Sequence, residues 1–255
     1  INKNVLADIG VVADIKQILD ALNKQPLRKD YSEWFKRIAE WKAQYPLSYK
    51  KSAALQPQYV IEVLNKLTKG DAIIVPGVGQ HQMWAGQFYS YSRPRQFLTS
   101  GGLGSMGFGL PAAMGAKIAM PKSTVINIDG DGSFQMNIQE LGTIHTEDIG
   151  VKMIVLNNQL LGMVAQWEDR FYGSNRGNTD LRNRRVNRPY PDFVSIAKGY
   201  EIPGREVYKR DEVEDAIREM LETPGPFILD CHFNSKEHVL PMIPPGKRYK
   251  DIITA

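Results

Sequence analysis

The residues best placed for chemistry lie in two short polar segments that each follow an apolar run. Asp129-Gly-Asp-Gly-Ser133 follows the run 124–128, and Asn157-Asn158 follows the run 152–156. Residues 133–156 have the length of one helix plus one strand, so a right-handed crossover predicts two parallel strands that are neighbours or near-neighbours. Their carboxyl ends would share one edge of a sheet, where open α/β sheets bind ligands.

The residue types at that edge point to a metal ion and a phosphate. Asp131 and Asn158 offer a carboxylate and an amide oxygen, and a nearby backbone carbonyl completes a half-shell of oxygen ligands of low charge. Mg²⁺ prefers such a half-shell when phosphate oxygens and water fill its remaining positions. The glycines on either side of Asp131 permit close approach of a phosphate, and a following helix would offer the N–H groups of Ser133 and Phe134 to the same anion. The sequence therefore predicts a diphosphate–metal site.

Two alternative interpretations apply to the first polar segment. It supplies oxygen ligands at positions 1, 3, 5 and 12 of an EF-hand loop, from Asp129, Asp131, Ser133 and Glu140. Position 6 holds Phe134 where the calcium loop needs glycine, and a buried strand precedes the segment, so calcium is disfavoured. A plain polar turn between strand and helix is disfavoured by the matching Asn157-Asn158 segment.

A second glycine-rich segment, residues 101–111, precedes a predicted helix over 111–119. Its spacing does not match a G-x-G-x-x-G dinucleotide fingerprint, and no acidic residue follows about 20 positions later. A turn that holds Met106 against a flat ligand agrees better with the pattern. Ordinary core filling by Met106 is the alternative.

Alternating strands and helices provide the scaffold for these segments. Apolar runs at 72–75, 124–128, 152–156 and 227–233 are separated by helical patterns. Strands rich in Val and Ile between helices predict an α/β fold with a parallel sheet that carries helices on both faces.

The chain divides into three predicted regions. Residues 1–24 are expected to be the C-terminal end of a middle domain, with a strand end at Val11-Val-Ala-Asp14 and then a helix. Residues 25–56 are expected to be a linker with an amphipathic helix that Ser32 caps and that ends before Pro46. Residues 57–255 are expected to form the diphosphate-binding domain.

Composition excludes several classes of protein. The 32 basic and 28 acidic residues are spread along the chain, which describes a solvated surface and predicts no nucleic-acid partner. No apolar run reaches the length of about 18–20 residues that a membrane span needs. The single cysteine, Cys231, lies in an apolar run and is predicted to be a buried strand thiol.

The motifs taken together resemble those of thiamine-diphosphate enzymes, and the longer strings are similar to the catalytic subunit of acetohydroxyacid synthase (acetolactate synthase). The resemblance covers essentially the whole chain, as the C-terminal part of that subunit. The strings that carry it are Gly79-Gln-His-Gln-Met-Trp84, residues 101–111, Gly130-Asp-Gly-Ser-Phe134, Asn157-Asn-Gln-Leu-Leu-Gly-Met-Val164, Gln166-Trp-Glu-Asp-Arg-Phe-Tyr172 and His238-Val-Leu-Pro-Met-Ile-Pro244.

The resemblance implies a role for particular residues. The metal ligands would be Asp131, Asn158 and the backbone carbonyl of Leu160. Met106 would be the apolar wedge that bends the cofactor, Trp167 would line the pocket for the second keto acid, and residues 238–246 would form an arm that closes over the site. The cofactor contacts would be Val78, Gly79, Gln80, His81, Gly104, Met106, Gly130, Asp131, Gly132, Ser133, Asn158, Leu160, Leu161, Gly162 and Met163.

The resemblance also implies an activity and its partners. The expected activity is decarboxylation of pyruvate and its condensation with a second 2-keto acid, which is pyruvate or 2-ketobutyrate. This reaction belongs to branched-chain amino acid biosynthesis. Thiamine diphosphate and Mg²⁺ would serve the chemistry, and FAD would be bound mainly by domains outside this sequence. A homodimer or homotetramer, a possible regulatory subunit, and a location in the bacterial cytoplasm or in a plastid or mitochondrion are implied as well.

Some features depart from the family pattern. Position 160 is often polar in relatives and is Leu here, which is harmless if only its carbonyl binds metal. The segment 174–191 carries Arg176, Arg182, Arg184, Arg185 and Arg188, and its simplest interpretation is a solvated, mobile loop.

The family's essential glutamate belongs to an N-terminal domain outside these 255 residues, so we expect the isolated chain to be inactive. Another thiamine-diphosphate enzyme, such as a decarboxylase, an oxidase or a catabolic acetolactate synthase, and a non-catalytic domain are the alternative functions. The string Gln166-Trp-Glu-Asp-Arg170 disfavours the other enzymes.

Overall fold

The structure is a computed structural model that describes residues 1–26, 29–183, 185–186, 188–234 and 236–254. It divides the chain into two compact units, Ile1–Pro46 and Leu47–Ala255. No helix among these described residues has the length and apolar character needed to cross a membrane.

The N-terminal unit contains two helices, α1 (Ile15–Asn23) and α2 (Ser32–Gln44). The strand end predicted at 11–14 is wrong, because the backbone there is irregular and Asp14 caps α1. The Asp14 carboxylate accepts hydrogen bonds from the N–H groups of Lys16 and Gln17, at 3.0 and 3.3 Å. These N–H groups have no partner within the helix, so an acidic residue at this point favours a helix start.

The predicted amphipathic helix is present as α2 and ends before Pro46 as expected. Its predicted cap is wrong, because Ser32 is the first helical residue and Tyr31 occupies the cap position without a side-chain hydrogen bond. The Ser32 N–H donates to the Asp30 carboxylate instead, at 2.9 Å. Trp34 and Trp41 meet edge to face, with ring centroids 5.7 Å apart.

The C-terminal unit alternates helices with strands. The strands predicted at 72–75, 124–128, 152–156 and 227–233 begin and end within two residues of the observed strands. Its first elements are α3 (Pro57–Thr68), β1 (Ile73–Pro76), α4 (Gln80–Phe88), α5 (Gly109–Ala119), β2 (Val125–Gly130), α6 (Asp131–Phe134) and α7 (Glu140–Thr146). The remaining elements are β3 (Lys152–Asn157), α8 (Gly162–Phe171), α9 (Phe193–Gly199), β4 (Gly204–Val207), α10 (Val213–Glu222) and β5 (Phe227–His232).

The five strands form one parallel sheet in the order β1-β2-β3-β5-β4. The predicted adjacency of the two motif-bearing strands is confirmed, because β2 pairs directly with β3 and Gly130 lies opposite Leu156. The helices α3, α4 and α10 pack on one face of the sheet, and α5, α7 and α9 pack on the other. The predicted α/β class with helices on both faces is therefore confirmed.

Two apolar clusters cover the two faces of the sheet. One packs α3, α4 and α10 against strand residues such as Ile126 and Leu229. The other packs α5, α7 and α9 against residues such as Val125 and Val155. Because both faces are buried, the strands are apolar at successive positions rather than at alternate ones.

Two features of the sheet bear on the sequence interpretation. Strand β4 was not predicted, because Gly-Arg-Glu-Val is polar and lies at the sheet edge, where one side of the strand stays open to solvent. Cys231 is buried on β5, as predicted, and burial raises the pKa of its thiol.

The aromatic pair of the second cluster gives a test of the core. Phe193 is fully buried and meets Phe134 edge to face, with ring centroids 5.6 Å apart. We expect Phe193→Ala to lower the free energy of unfolding by about 3–5 kcal/mol, because the lost ring leaves a cavity. Urea denaturation measures this change. Phe35→Ala removes a ring that is 66% exposed and should change stability by no more than about 0.5 kcal/mol; equal losses in both variants would contradict the assignment.

Candidate functional site

A cleft opens where β2 and β3 end, and the two polar segments meet there. Asp131 is the first residue of α6, and Asn158 follows the last residue of β3. Of the predicted site residues, the cleft is lined by Val78, Gly79, Gln80, His81, Met106, Gly130, Asp131, Gly132, Ser133, Asn158, Leu160, Leu161, Gly162 and Met163. The sheet topology thus brings together residues from four separate stretches of sequence.

The Asp131 carboxylate is the most unusual group in this cleft. The residue is 1% exposed, and its Oδ2 atom has no hydrogen-bond partner among the described residues. Burial, reinforced by the negative charge of Asp230, raises the pKa of the Asp131 carboxyl to about 8. The raised pKa means that the ionised form of this carboxyl group is costly without a partner, and a bound cation would stabilise it.

A tight turn holds Asn158 beside Asp131. The Asn158 Oδ1 atom accepts the N–H of Leu160 at 3.1 Å, and its Nδ2 donates to Gln80 Oε1 at 3.3 Å. Gln159, which lies between Asn158 and Leu160 in the chain, adopts a left-handed backbone conformation with φ of 58°. The Leu160 side chain is 6% exposed, so an apolar residue suits this position.

Residues 179–181 hold this turn in place through two backbone hydrogen bonds. The N–H of Leu161 donates to the Thr179 carbonyl at 2.8 Å, and the N–H of Leu181 donates to the Gln159 carbonyl at 3.0 Å. These two bonds hold the turn in one position, which a metal-binding carbonyl at Leu160 would require.

Glycines are needed in the cleft because side chains crowd against them. A Cβ at Gly130 would lie 2.7 Å from His81 Nδ1, and a Cβ at Gly132 would lie 2.6 Å from Leu161 Cδ2. The Met106 methyl would be 3.7 Å from the same Gly132 Cβ, so Met106 reaches the cleft from the glycine-rich segment. Backbone of this kind leaves room for a ligand to approach closely.

The glycine-rich segment is tied to α6 by a hydroxyl group. Gly107, in the left-handed region with φ of 83°, donates its N–H to Ser133 Oγ at 3.0 Å. Gly104 is also left-handed, with φ of 68°, but it is exposed and does not line the cleft. Gly104 is therefore not part of the lining, although a Cβ there would lie 3.8 Å from Cγ1 of the cleft residue Val78.

The EF-hand alternative is wrong. Asp129 belongs to strand β2 rather than to a loop, and its Oδ1 accepts the N–H of Gly130 at 3.1 Å. His81 Nε2 lies 3.3 Å from the same buried carboxylate, although without hydrogen-bond geometry. Asp129 thus faces the interior of the protein, whereas Asp131 faces the cleft.

One network at the cleft was missed by sequence reasoning. Gln80 Nε2 donates to Gln166 Oε1 and to the Glu237 carbonyl, both at 2.9 Å. Gln166 is 1% exposed; its Oε1 accepts the N–H of Val239 at 2.8 Å, and its Nε2 donates to the Val239 carbonyl at 3.0 Å. The predicted C-terminal arm is therefore anchored to the cleft. The sequence signal was available, because Gln166 lies three and four positions after two cleft residues on α8.

The apolar part of the cleft was also missed in part. Four residues without a predicted role line it: Trp84, Leu156, Val164 and Phe233. Trp84 and Phe233 meet edge to face, with ring centroids 5.7 Å apart. These residues are ordinary core types in the sequence, so only the fold shows that they face the cleft.

Trp167 lies outside this lining. Its ring contacts that of Phe171 one turn along α8, with centroids 4.9 Å apart, and the side chain is partly exposed. The structure does not bring Trp167 together with Asp131 and Asn158.

The arginine-rich segment forms ion pairs near its start, and its interpretation as a solvated, mobile loop stays a prediction. Arg176 forms ion pairs with Glu168 at 3.3 Å and Asp169 at 2.6 Å, and Arg182 pairs with Asp180 at 2.6 Å. Arg184 lies outside the described residues.

The parallel α/β fold and the cleft at its strand ends define a class of protein. The family of thiamine pyrophosphate enzymes, through their C-terminal TPP-binding domain, matches residues 77–231, so the chain belongs to this family. It is 55% identical over 261 residues to acetolactate synthase 1, chloroplastic, from Oryza sativa subsp. japonica. It is 51% identical over 262 residues to acetolactate synthase 3, chloroplastic, from Brassica napus.

The alignments cover this chain almost completely but less than half of each relative. They cover 99% and 100% of this chain, and 40% of each relative. The chain thus spans about two fifths of the length of the curated relatives that it matches. The resemblance inferred from the motifs is confirmed.

The crowding at Gly162 gives a test of the site's construction. A Cβ there would overlap Gln80 Oε1 and lie 2.8 Å from Asn158 Nδ2. We expect Gly162→Ala to lower the free energy of unfolding by about 1–3 kcal/mol, as overpacking does, measured by urea denaturation. Gly115→Ala, within α5 and with no atom within 4 Å of the new Cβ, should stabilise by up to about 1 kcal/mol. Equal effects in the two variants would mean that Gly162 is not constrained.

Proposed function

We propose that this chain is the cofactor-binding part of an acetolactate synthase catalytic subunit. The proposed reaction is decarboxylation of pyruvate and condensation with a second 2-keto acid, giving 2-acetolactate, or 2-aceto-2-hydroxybutyrate from 2-ketobutyrate. The observation that carries the proposal is the buried, unpartnered Asp131 oxygen beside Asn158, in a chain 55% identical to an acetolactate synthase.

The donor set suits Mg²⁺ and a diphosphate. Asp131, Asn158 and the carbonyl of Leu160 would hold the ion, and phosphate oxygens would complete its shell. Asn158 would have to share or release the Leu160 N–H from its Oδ1 to bind the metal. The backbone at Gly132 and Ser133, at the start of α6, would approach the diphosphate.

The chain's own side chains would position the cofactor and keep water away. Thiamine diphosphate, when bound, supplies the nucleophilic carbon and the electron sink for decarboxylation. Met106 would support the cofactor by its flexible thioether. Trp84, Leu156 and Phe233 make the cleft apolar, and the arm anchored by Gln166 would limit solvent access.

Trp167 would act on the acceptor substrate from α8. It lies one helical turn beyond Met163, a cleft residue, and its ring is partly exposed rather than part of the core. A partly exposed indole at this place would contact the second keto acid. We infer that it tunes the choice between pyruvate and 2-ketobutyrate.

The complete enzyme would include parts outside this sequence. We propose that residues 1–24 end a middle domain, that 25–56 form a linker, and that 57–255 form the diphosphate-binding domain. FAD would be held mainly by the middle domain. A homodimer or homotetramer, with a regulatory subunit as a further partner, and a plastid location like that named for the relatives complete the proposal.

The cofactor site can be tested by one isosteric change. We expect Asp131→Asn to reduce Mg²⁺-dependent thiamine diphosphate binding at least 100-fold, because the ion loses its charged ligand, as measured by calorimetry. The fold should remain, since the change removes a buried charge. Asp71→Asn, which alters an exposed carboxylate, should bind like the unmodified chain. Unchanged affinity in Asp131→Asn would refute the site.

The acceptor role of Trp167 is tested in the complete enzyme. We expect Trp167→Leu to change the ratio of 2-aceto-2-hydroxybutyrate to 2-acetolactate at least threefold when pyruvate and 2-ketobutyrate compete, because a smaller side chain reshapes the acceptor pocket. Trp34→Leu, which alters an exposed ring of α2, should leave the ratio unchanged. A large fall in melting temperature with an unaltered ratio would assign Trp167 to packing instead.

A further inference from the structure

A second cluster of potential ligands lies at the ends of β4 and β5, outside the lining of the cleft. Glu206 is on β4, and Asp230 and His232 are on β5. Each offers one ligand atom, and the three atoms lie within 4.8 Å of one another. Parallel pairing of the two strands places Glu206 directly beside Asp230.

The His232 ring in this cluster is shielded from solvent but makes no aligned hydrogen bond through Nε2. Its side chain is 9% exposed, and its Nε2 atom makes no hydrogen bond among the described residues. Two carboxylate oxygens stand close, Asp230 Oδ2 at 3.3 Å and Glu206 Oε1 at 3.4 Å, but neither is aligned with the ring nitrogen. An ordinary histidine–carboxylate ion pair would direct the N–H at one oxygen.

The spacing of the three atoms agrees with metal coordination. An ion that binds nitrogen and oxygen ligands tetrahedrally at about 2.0–2.1 Å separates neighbouring ligand atoms by about 3.3–3.4 Å. The two distances from His232 Nε2 have these values. A cation placed between the three atoms would give Nε2 the partner that it lacks among the described residues.

The surroundings orient each ligand as the outer contacts of metal sites do. The Tyr208 ring stacks on the His232 ring at 4.3 Å and 6°, and the Tyr208 hydroxyl donates to Glu206 Oε1 at 2.8 Å. Asn157 Nδ2 donates to Asp230 Oδ1 at 3.0 Å. Rigid ligands lose little freedom when they bind an ion.

The surroundings of His232 are rich in carboxyl groups. Asp192 lies near the ring in addition to Glu206 and Asp230. Asp230 is fully buried, where an uncompensated charge is costly. Glu206 is 40% exposed on its side chain, which leaves an entry path from solvent.

We propose that Glu206, Asp230 and His232 form a binding site for a divalent transition-metal ion, with Zn²⁺ as the best-fitting ion. One imidazole and two carboxylates with an open fourth position suit Zn²⁺, whereas Mg²⁺ favours a shell made of oxygen alone. The site is distinct from the Mg²⁺ site at Asp131 and Asn158, and the pair Asn157-Asn158 lies between the two.

The experiment titrates the chain with Zn²⁺ by calorimetry, with Mg²⁺ at saturation so that the cleft does not contribute. We expect one Zn²⁺ per chain, and we expect His232→Asn and Glu206→Gln each to weaken binding at least tenfold. Co²⁺ in place of Zn²⁺ should give the intense visible absorption of a tetrahedral site. Because Glu206 is partly exposed, Glu206→Gln should fold normally even if His232→Asn does not.

Matched controls separate this site from other histidines and from the cleft. His145 lies 3.8 Å from a single exposed carboxylate, that of Glu201, and His238 lies 3.2 Å from Asp169. His145→Asn and His238→Asn should each bind Zn²⁺ as the unmodified chain does. Asp131→Asn should still bind one Zn²⁺ per chain, with a changed affinity because the Asp131 and Asp230 carboxyl groups interact. The proposal is overturned if Zn²⁺ affinity is the same in Glu206→Gln as in the unmodified chain, or if Zn²⁺ binding is lost in one of the three controls.

Discussion

The pairing of β2 with β3 is the constraint on which the rest of the cleft depends. Their parallel register sets Gly130 opposite Leu156, so the residues that follow both strands emerge at one edge. Asp131 and Asn158 meet for this reason alone, although 26 residues separate them in the chain. The turn that carries Asn158, the glycines that make room for it, and the anchored arm all build outward from this pair of strand ends.

Several polar side chains around that edge are buried, and part of them form one hydrogen-bond network. Asn158, Gln80 and Gln166 form a continuous chain of hydrogen bonds that ends on the backbone of Val239. Such networks are rigid when every member is satisfied, and they fix one arrangement of side chains. The Asp131 Oδ2 atom lies beside this network without a hydrogen-bond partner among the described residues, as do the ring nitrogens His81 Nε2 and Trp84 Nε1 of the cleft. The cleft thus combines a rigid hydrogen-bonded frame with a buried carboxyl group available to a ligand, an arrangement expected where a functional site is kept at a cost in stability.

The sequence predicted those elements whose residues are apolar and periodic. Four of the strands are such elements, because burial on both sheet faces leaves long apolar runs, and the helix expected over 111–119 is present as α5. Strand β4 escaped prediction because an edge strand needs only backbone hydrogen bonds on one side, and Gly-Arg-Glu-Val carries no apolar run. Asp14 was assigned to a strand end although it caps α1, and Ser32 was assigned to a helix cap although it is the first helical residue of α2. Short polar residues are common at strand ends, at helix caps and in first turns, so residue type alone does not separate these positions.

The sequence by itself determined the α/β class, the adjacency of β2 and β3, and the family, since these follow from apolar patterning and from local motifs such as Gly130-Asp-Gly132. Only the tertiary structure decided which side chains share the cleft. It anchored the arm through Gln166, left Gly104 and Trp167 outside the lining, and set Glu206 beside Asp230 and His232. The physical reason is that contacts between distant segments depend on strand order and register across the sheet, and no local pattern of residue types records them.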